Sequence, residues 1–153
     1  MPQPKILLAS LLALLAGCAS HWPEMDRSLQ GAQAEFDVPP KVMIERVRKV
    51  VTDPPLSLGV LEEKGGTILT GYQSFPGEFH VARRWQERTQ YRILVIPDWD
   101  QPSAKCSVQV REATEQRAAE GMKWEVAPEL THPERARELL KQIQQQASTQ
   151  PTH

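Results

Sequence analysis

The stretch from Arg84 to Ile96 constrains the fold of this chain more than any other. Its odd positions read Trp85, Glu87, Thr89, Tyr91, Ile93 and Val95, and its even ones Arg84, Gln86, Arg88, Gln90 and Arg92. Successive side chains of a strand point to opposite faces, so this alternation predicts a strand with one side on a core and the other in water. Leu94 and Ile96 interrupt the polar side, so that end is expected to be covered on both faces. Such a strand needs antiparallel neighbours, and the flanking residues supply them. Pro97-Asp98-Trp99-Asp100-Gln101-Pro102 reads as a turn, after which Lys105 to Arg111 alternates again. Upstream, Glu63-Lys64-Gly65-Gly66 separates two short β-prone runs between Leu58 and Tyr72, a hairpin signal because glycine takes φ > 0 without penalty. Gln73 to His80 contains Pro76-Gly77 and reads as a loop. Residues 115–130 are polar, with Trp124 and Val126 marking a short extra strand.

Helices are expected on both sides of these strands. Pro39-Pro40 suits a first helical turn, with Asp37 placed to cap it. Met43, Val47, Val50 and Val51 form one apolar stripe, and Asp53-Pro54-Pro55 ends the helix because a residue before proline resists the helical region. Near the carboxyl end, Thr131-His132-Pro133-Glu134 has the form of a capping box. Ala136, Leu139, Leu140, Ile143 and Ala147 follow as a second stripe. From Gln144 onward the period is lost and a polar tail is expected. The order predicts an α+β fold: an antiparallel sheet of three to five strands with an N-terminal and a C-terminal helix packed on one face.

Few residues carry a recognisable chemistry. No Gly-x-Ser-x-Gly is present, and Cys106 alternates with Val108 and Val110, which directs it into the core. The four histidines, His21, His80, His132 and His153, share no metal-type spacing with one another or with a cysteine, so no metal or other cofactor is expected. Gly65-Gly66 leads into a strand where a phosphate loop needs a helix. Asp98 and Asp100 lie in a proline-bounded turn and read as turn formers. These absences point to a non-catalytic protein. What remains is a surface: Arg84, Arg88 and Arg92 recur on one strand face about 13 Å apart, beside the aromatic residues Tyr72, Phe75 and Phe79. Two readings stay open for it, a solvated face paired with acids on neighbouring strands, or a partner-binding face.

The beginning of the chain sets the compartment. Leu14-Leu15-Ala16-Gly17-Cys18 follows an apolar run from Ile6 to Ala16, with Lys5 before it. The run is too short for a ~30 Å hydrocarbon core, which needs about 20 residues. The arrangement resembles the lipobox of bacterial lipoprotein signal peptides. That resemblance implies cleavage before Cys18, lipidation of Cys18, and, because Ala19 follows it and not Asp, an outer-membrane location facing the periplasm. Several acyl chains anchor firmly where one is marginal. The domain plan that follows is a signal peptide over 1–17, a lipidated tether over 18–35, an α+β domain over 36–147 and a polar tail over 148–153. Of the 18 basic and 19 acidic residues, only Lys5 lies in the leader. The remainder is therefore close to neutral, unlike a dedicated nucleic-acid binder.

The Val42-to-Val51 helix, the Gly65-Gly66-Thr67-Ile68 hairpin, the Tyr91-Arg-Ile-Leu-Val strand and the Pro133-to-Leu140 helix together resemble the small domains of BamC-like lipoproteins of outer-membrane protein assembly. The resemblance covers about residues 36–146. It implies a non-catalytic, membrane-anchored accessory module whose partners are envelope proteins. The rival expectation is a small ligand-binding or hydrolytic domain, with Tyr72, His80, Asp98 and Trp99 converging on a pocket between sheet and helices.

Overall fold

The computed structural model of the chain describes residues 31–80, 83–118, 123–127 and 131–149, with side chains 76–85 and 118 left aside. Its elements run β1 (Ala32–Phe36), α1 (Pro40–Thr52), β2 (Val60–Lys64), β3 (Thr67–His80), β4 (Arg83–Pro97), β5 (Cys106–Ala118), β6 (Glu125–Val126) and α2 (Pro133–Thr149). The α+β class holds. The sheet, however, has six strands, all antiparallel, in the order β1-β5-β4-β3-β2 with β6 also on β5.

The extra strand is β1, whose first four residues fall in the stretch expected to be tether. It pairs Ala32 with Val110 and Phe36 with Cys106. Ala32, Ala34 and Phe36 pack against the core while Gln33 and Glu35 alternate away from it. β3 and β4 form the longest hairpin. Residues 73–80, expected as a loop, are strand: Gln73 faces Thr89 and Phe75 faces Glu87. A register shift between Pro76 and Phe79 accommodates the proline, because a bulge tolerates a missing N–H.

The turn between β2 and β3 is tight. Gly65 and Gly66 have φ of +56° and +79°, as a two-residue hairpin turn with both residues left-handed requires. The Gly66 carbonyl accepts the Val95 N–H at 2.8 Å, and a Cβ there would stand 2.7 Å from the Val95 oxygen. Gly71 packs closer still, since its Cβ would lie 2.1 Å from the Leu58 oxygen.

One core unites the layers. Ile68, Tyr91, Ile93, Val95, Cys106, Val108 and Val110 project from the strands onto Met43, Val47 and Val51 of α1 and Ala136, Leu139, Leu140 and Ile143 of α2. The helices touch each other, α1 also meeting β4 and β2, and α2 meeting β5 and β1. Arg46, buried on the inner side of α1, donates from Nη1 to the Ala147 carbonyl at 3.2 Å, which satisfies a carbonyl in the last turn of α2. Arg48 holds α1 to β2 through a two-pronged contact with Glu63, at 3.0 and 2.7 Å.

The helix ends differ from expectation. No side chain caps α1, and Asp37 instead meets Lys105 at 3.2 Å. α2 begins one residue later than a Thr131 cap requires, and it continues through Gln144–Gln146 to Thr149, where a tail was expected. Ser148 and Thr149 return their hydroxyls to carbonyls four residues back.

Candidate functional site

Two side-chain layers occupy the far part of the β3–β4–β5 sheet, one on each face. On the core face the apolar alternation gives way to polar residues. Glu87, Thr89, Glu112 and Thr114 all lie there, each at most 8% exposed. The first residues of α2 close over them. Arg135 donates from Nη2 to Glu87 Oε2 at 3.0 Å and from Nη1 to Thr89 Oγ1 at 2.8 Å. Its guanidinium also covers the Phe75 ring at 3.7 Å. The Thr89 and Thr114 hydroxyls are 3.2 Å apart. His132 donates its backbone N–H to Glu112 Oε1 at 2.5 Å, so a sheet carboxylate holds the amide of the residue that precedes α2. The His132 ring lies between Glu87 Oε2, 3.2 Å from Nε2, and Glu134 Oε1, 3.1 Å from Nδ1.

Burial pushes the Glu112 carboxyl up to about 7, against the lowering pull of the His132 N–H and the nearby cations. Its Oε2 is buried and makes no hydrogen bond. Burial, and then the charge of Glu112, also raises the Tyr91 phenol, which donates to Gln73 at 3.0 Å. The Glu134 carboxyl is held below the usual range by a backbone N–H and by His132. Among the described residues no group of three or more His, Cys, Asp or Glu is arranged to hold a metal ion.

On the opposite face the side chains stack. Arg88 faces Glu115 across the β4–β5 ladder and binds it through Nε at 2.6 Å and Nη2 at 2.5 Å. The same guanidinium lies over the Tyr72 ring at 3.8 Å and the Trp124 ring at 4.4 Å. Arg117 lies over Trp124 at 4.7 Å and donates to Gln86 at 2.8 Å. Tyr72 completes the layer with a 3.2 Å bond to Glu115, and its hydroxyl pKa is raised, chiefly by burial. Arginine over an aromatic face is an attractive arrangement that also fixes the ring.

Arg88 and Arg92 therefore do not form a uniform solvated face. Arg88 is engaged by Glu115, Tyr72 and Trp124, while Arg92 stands opposite Arg111. Arg84 pairs with Phe79 along the backbone, and its side chain lies outside the described residues, as do Cys18, His21, His153 and the side chain of His80. Cys106 is 2% exposed with its thiol pushed up by burial, a core residue as its alternation indicated. Asp98 accepts the Asp100 and Gln101 N–H groups at 3.0 and 2.8 Å, the work of a turn former. Tyr72 does not converge with Asp98 and Trp99. It sits opposite Gln90, eight residues or about 26 Å along β4 from Asp98. An open cleft of about 420 Å³ does lie beside that turn, lined by Glu35, Asp37, Asp98, Trp99 and Lys105 among others.

Sequence reasoning missed the buried polar layer, although its signal was present. Glu87 and Thr89 occupy the same odd positions as Tyr91 and Ile93, and Glu112 and Thr114 continue the inward alternation of Cys106, Val108 and Val110.

Comparison with known proteins adds little. No protein-family model matches the chain, and no curated protein matches it in sequence. Among solved structures it is similar to a DUF4468 family protein from Bacteroides ovatus, at 12% identity and a TM-score of 0.47, over 80% of this chain and 88% of that one.

Proposed function

We propose that this chain is a lipid-anchored lipoprotein of the cell envelope, held in the outer membrane through Cys18, which serves as a non-catalytic protein-binding module in a process such as outer-membrane protein assembly. The lipobox-like run ending at Cys18 supports the anchor. Among the described residues no helix is long and apolar enough to cross a membrane. In this reading both helices lie on one sheet face and the other is left for a partner. Their mutual contact and shared core favour that arrangement.

The observation that carries the reading is the layer of Tyr72, Arg88, Trp124 and Arg117. Aromatic residues and arginine are enriched at protein contacts, and here their rotamers are fixed before a partner arrives. Order set in advance lowers the entropic cost of association. The test is a photo-crosslinking residue at Ser74, exposed on this face opposite Arg88, in intact cells. Crosslinks to envelope proteins are expected, and crosslinks to lipid alone would refute the reading.

A further inference from the structure

Three carboxylates, one guanidinium and one imidazole meet where α2 begins. Glu87 and Glu112 are 7% and 8% exposed, and Arg135 is the cation bonded to Glu87. Glu134 stands at the rim with 64% of its side chain exposed, where water screens its charge. The interior therefore sets two carboxylates against one guanidinium, and one further proton makes it neutral. Two places can hold that proton. One is Glu112, whose Oε2 is buried without a hydrogen bond, so its carboxylate form leaves an oxygen neither hydrated nor paired. The other is the His132 ring, with Nε2 3.2 Å from Glu87 Oε2 and Nδ1 3.1 Å from Glu134 Oε1. A protonated ring can donate from both nitrogens, a neutral one from only one. Among the described residues the remaining titratable group on that side is the Tyr91 phenol, opposite Glu112 on β4, and burial moves it further from ionisation. The other elements bring no charge in. β3 presents Gln73 and Phe75, Glu35 of β1 alternates away from the core, and Arg46 of α1 reaches the opposite end of α2.

From this charge balance we infer that the segment from His132 to Ala136 is a proton-held latch, closed over the buried polar layer while Glu112 or the His132 ring carries the extra proton and lifted from the sheet when that proton leaves. An unpaired buried charge is costly, so either the group stays protonated or the segment covering it gives way. The segment that covers it is tied through one residue. The His132 N–H binds Glu112, and the His132 carbonyl accepts the Arg135 N–H at 2.8 Å. Farther along, Leu139, Leu140 and Ile143 hold α2 on the core by apolar burial, which no proton alters. The response is therefore local. Burial raises the Glu112 carboxyl to about 7, so the latch is closed in mild acid and loosens as pH rises through neutrality. Opening uncovers Glu87, Thr89 and Thr114 and lifts the Arg135 guanidinium from the Phe75 ring. This surface is on the face opposite the Tyr72–Arg88–Trp124 layer, so the latch stands or falls independently of the partner-binding reading.

The test is amide hydrogen exchange of the full chain in detergent micelles, with each rate referred to the intrinsic exchange rate at the same pH. Between about pH 6 and pH 8.5, protection over residues 132–136 should fall about tenfold, while Val47–Val51 and Val108–Val110 change less than about threefold. Glu112→Gln keeps an acceptor for the His132 N–H and removes the titrating charge, so its segment 132–136 should lose less than about threefold over the same range. Should that variant fail to fold, Glu87→Gln serves. It leaves one interior carboxylate to one guanidinium, and the response should likewise shrink to about threefold or less. Protection at 132–136 that is unchanged with pH overturns the latch. An equal loss at the two reference segments means that the whole fold opens, which overturns it as well. A response that persists undiminished in whichever variant folds overturns the placement of the proton, and the latch with it.

Discussion

Burial raises the Glu112 carboxyl from about 4.5 to about 7, and the direction of that shift fixes how stability must depend on pH. The folded state favours the protonated group. Its contribution is therefore full below pH 4.5 and is lost as pH rises through about 7. Thermal melts of the parent should fall across that window. Glu112→Gln keeps an acceptor for the His132 N–H while removing the charge, so the slope should flatten. At pH 8 the variant should be more stable by about 1–2 kcal/mol, since one pKa unit is worth about 1.4 kcal/mol. A variant that retains the parental slope refutes the assignment. Arg135 makes the complementary case. Arg135→Leu leaves Glu87 buried without its guanidinium partner and with only the His132 ring beside it, and removing one partner of a buried pair costs about 3–5 kcal/mol. Urea unfolding of Arg135→Leu and of the double variant Arg135→Leu, Glu87→Gln checks this, with the second change expected to restore part of the loss.

At the level of elements, turn and strand geometry decides the outcome. Gly66→Ala sets a side chain in a left-handed residue and drives its Cβ toward the Val95 oxygen. Denaturant unfolding should show a loss of about 2 kcal/mol or more, because both the φ penalty and the backbone clash must be met. An alanine that costs under half of that shows a turn free to shift. The Gly65-Gly66 turn was legible in the sequence, as were the apolar stripes of both helices and the inward face of β4, because each is a local pattern of period or of turn residues. β1 was not. Ala32-Gln-Ala-Glu-Phe36 alternates for only five residues, and it becomes a strand by pairing with a partner at least seventy positions away. Nor was the far half of β3, where Pro76-Gly77 signals a turn yet is absorbed at a register shift. The candidate site was legible in part. The arginines of β4 stood out, but which of them meets an acid and which meets another arginine depends on a cross-strand register that no single segment encodes.

For the whole molecule the charges nearly cancel, 18 basic against 19 acidic, yet they are not evenly spread. One sheet face carries Arg88, Arg92, Arg111 and Arg117, of which Arg88 has an acid directly opposite and Arg92 another arginine. A local field of this sort orients a partner on approach even when net charge is small. The anchor acts at the same scale. Cys18→Ala should move the protein from the membrane pellet to the soluble fraction after cell lysis, and retention in the pellet refutes lipidation as the attachment. The class of fold was readable at this scale from element order, because alternating strands between two amphipathic helices leave few ways to bury all the apolar stripes. The strand count was not, because the short edge strand β1 announces itself weakly.

Both ends of α2 also draw on other elements: the sheet's Glu112 takes the N–H of His132, just before the helix, and Arg46 of α1 donates to a carbonyl of its last turn. The seventeen residues of α2 thus depend on β5 and α1 for part of their end contacts. Contacts such as Arg135 to Glu87, 48 positions apart, form only after long loops close, which places them late. Loss of this helix would uncover the strand side chains that pack against Ala136, Leu139, Leu140 and Ile143.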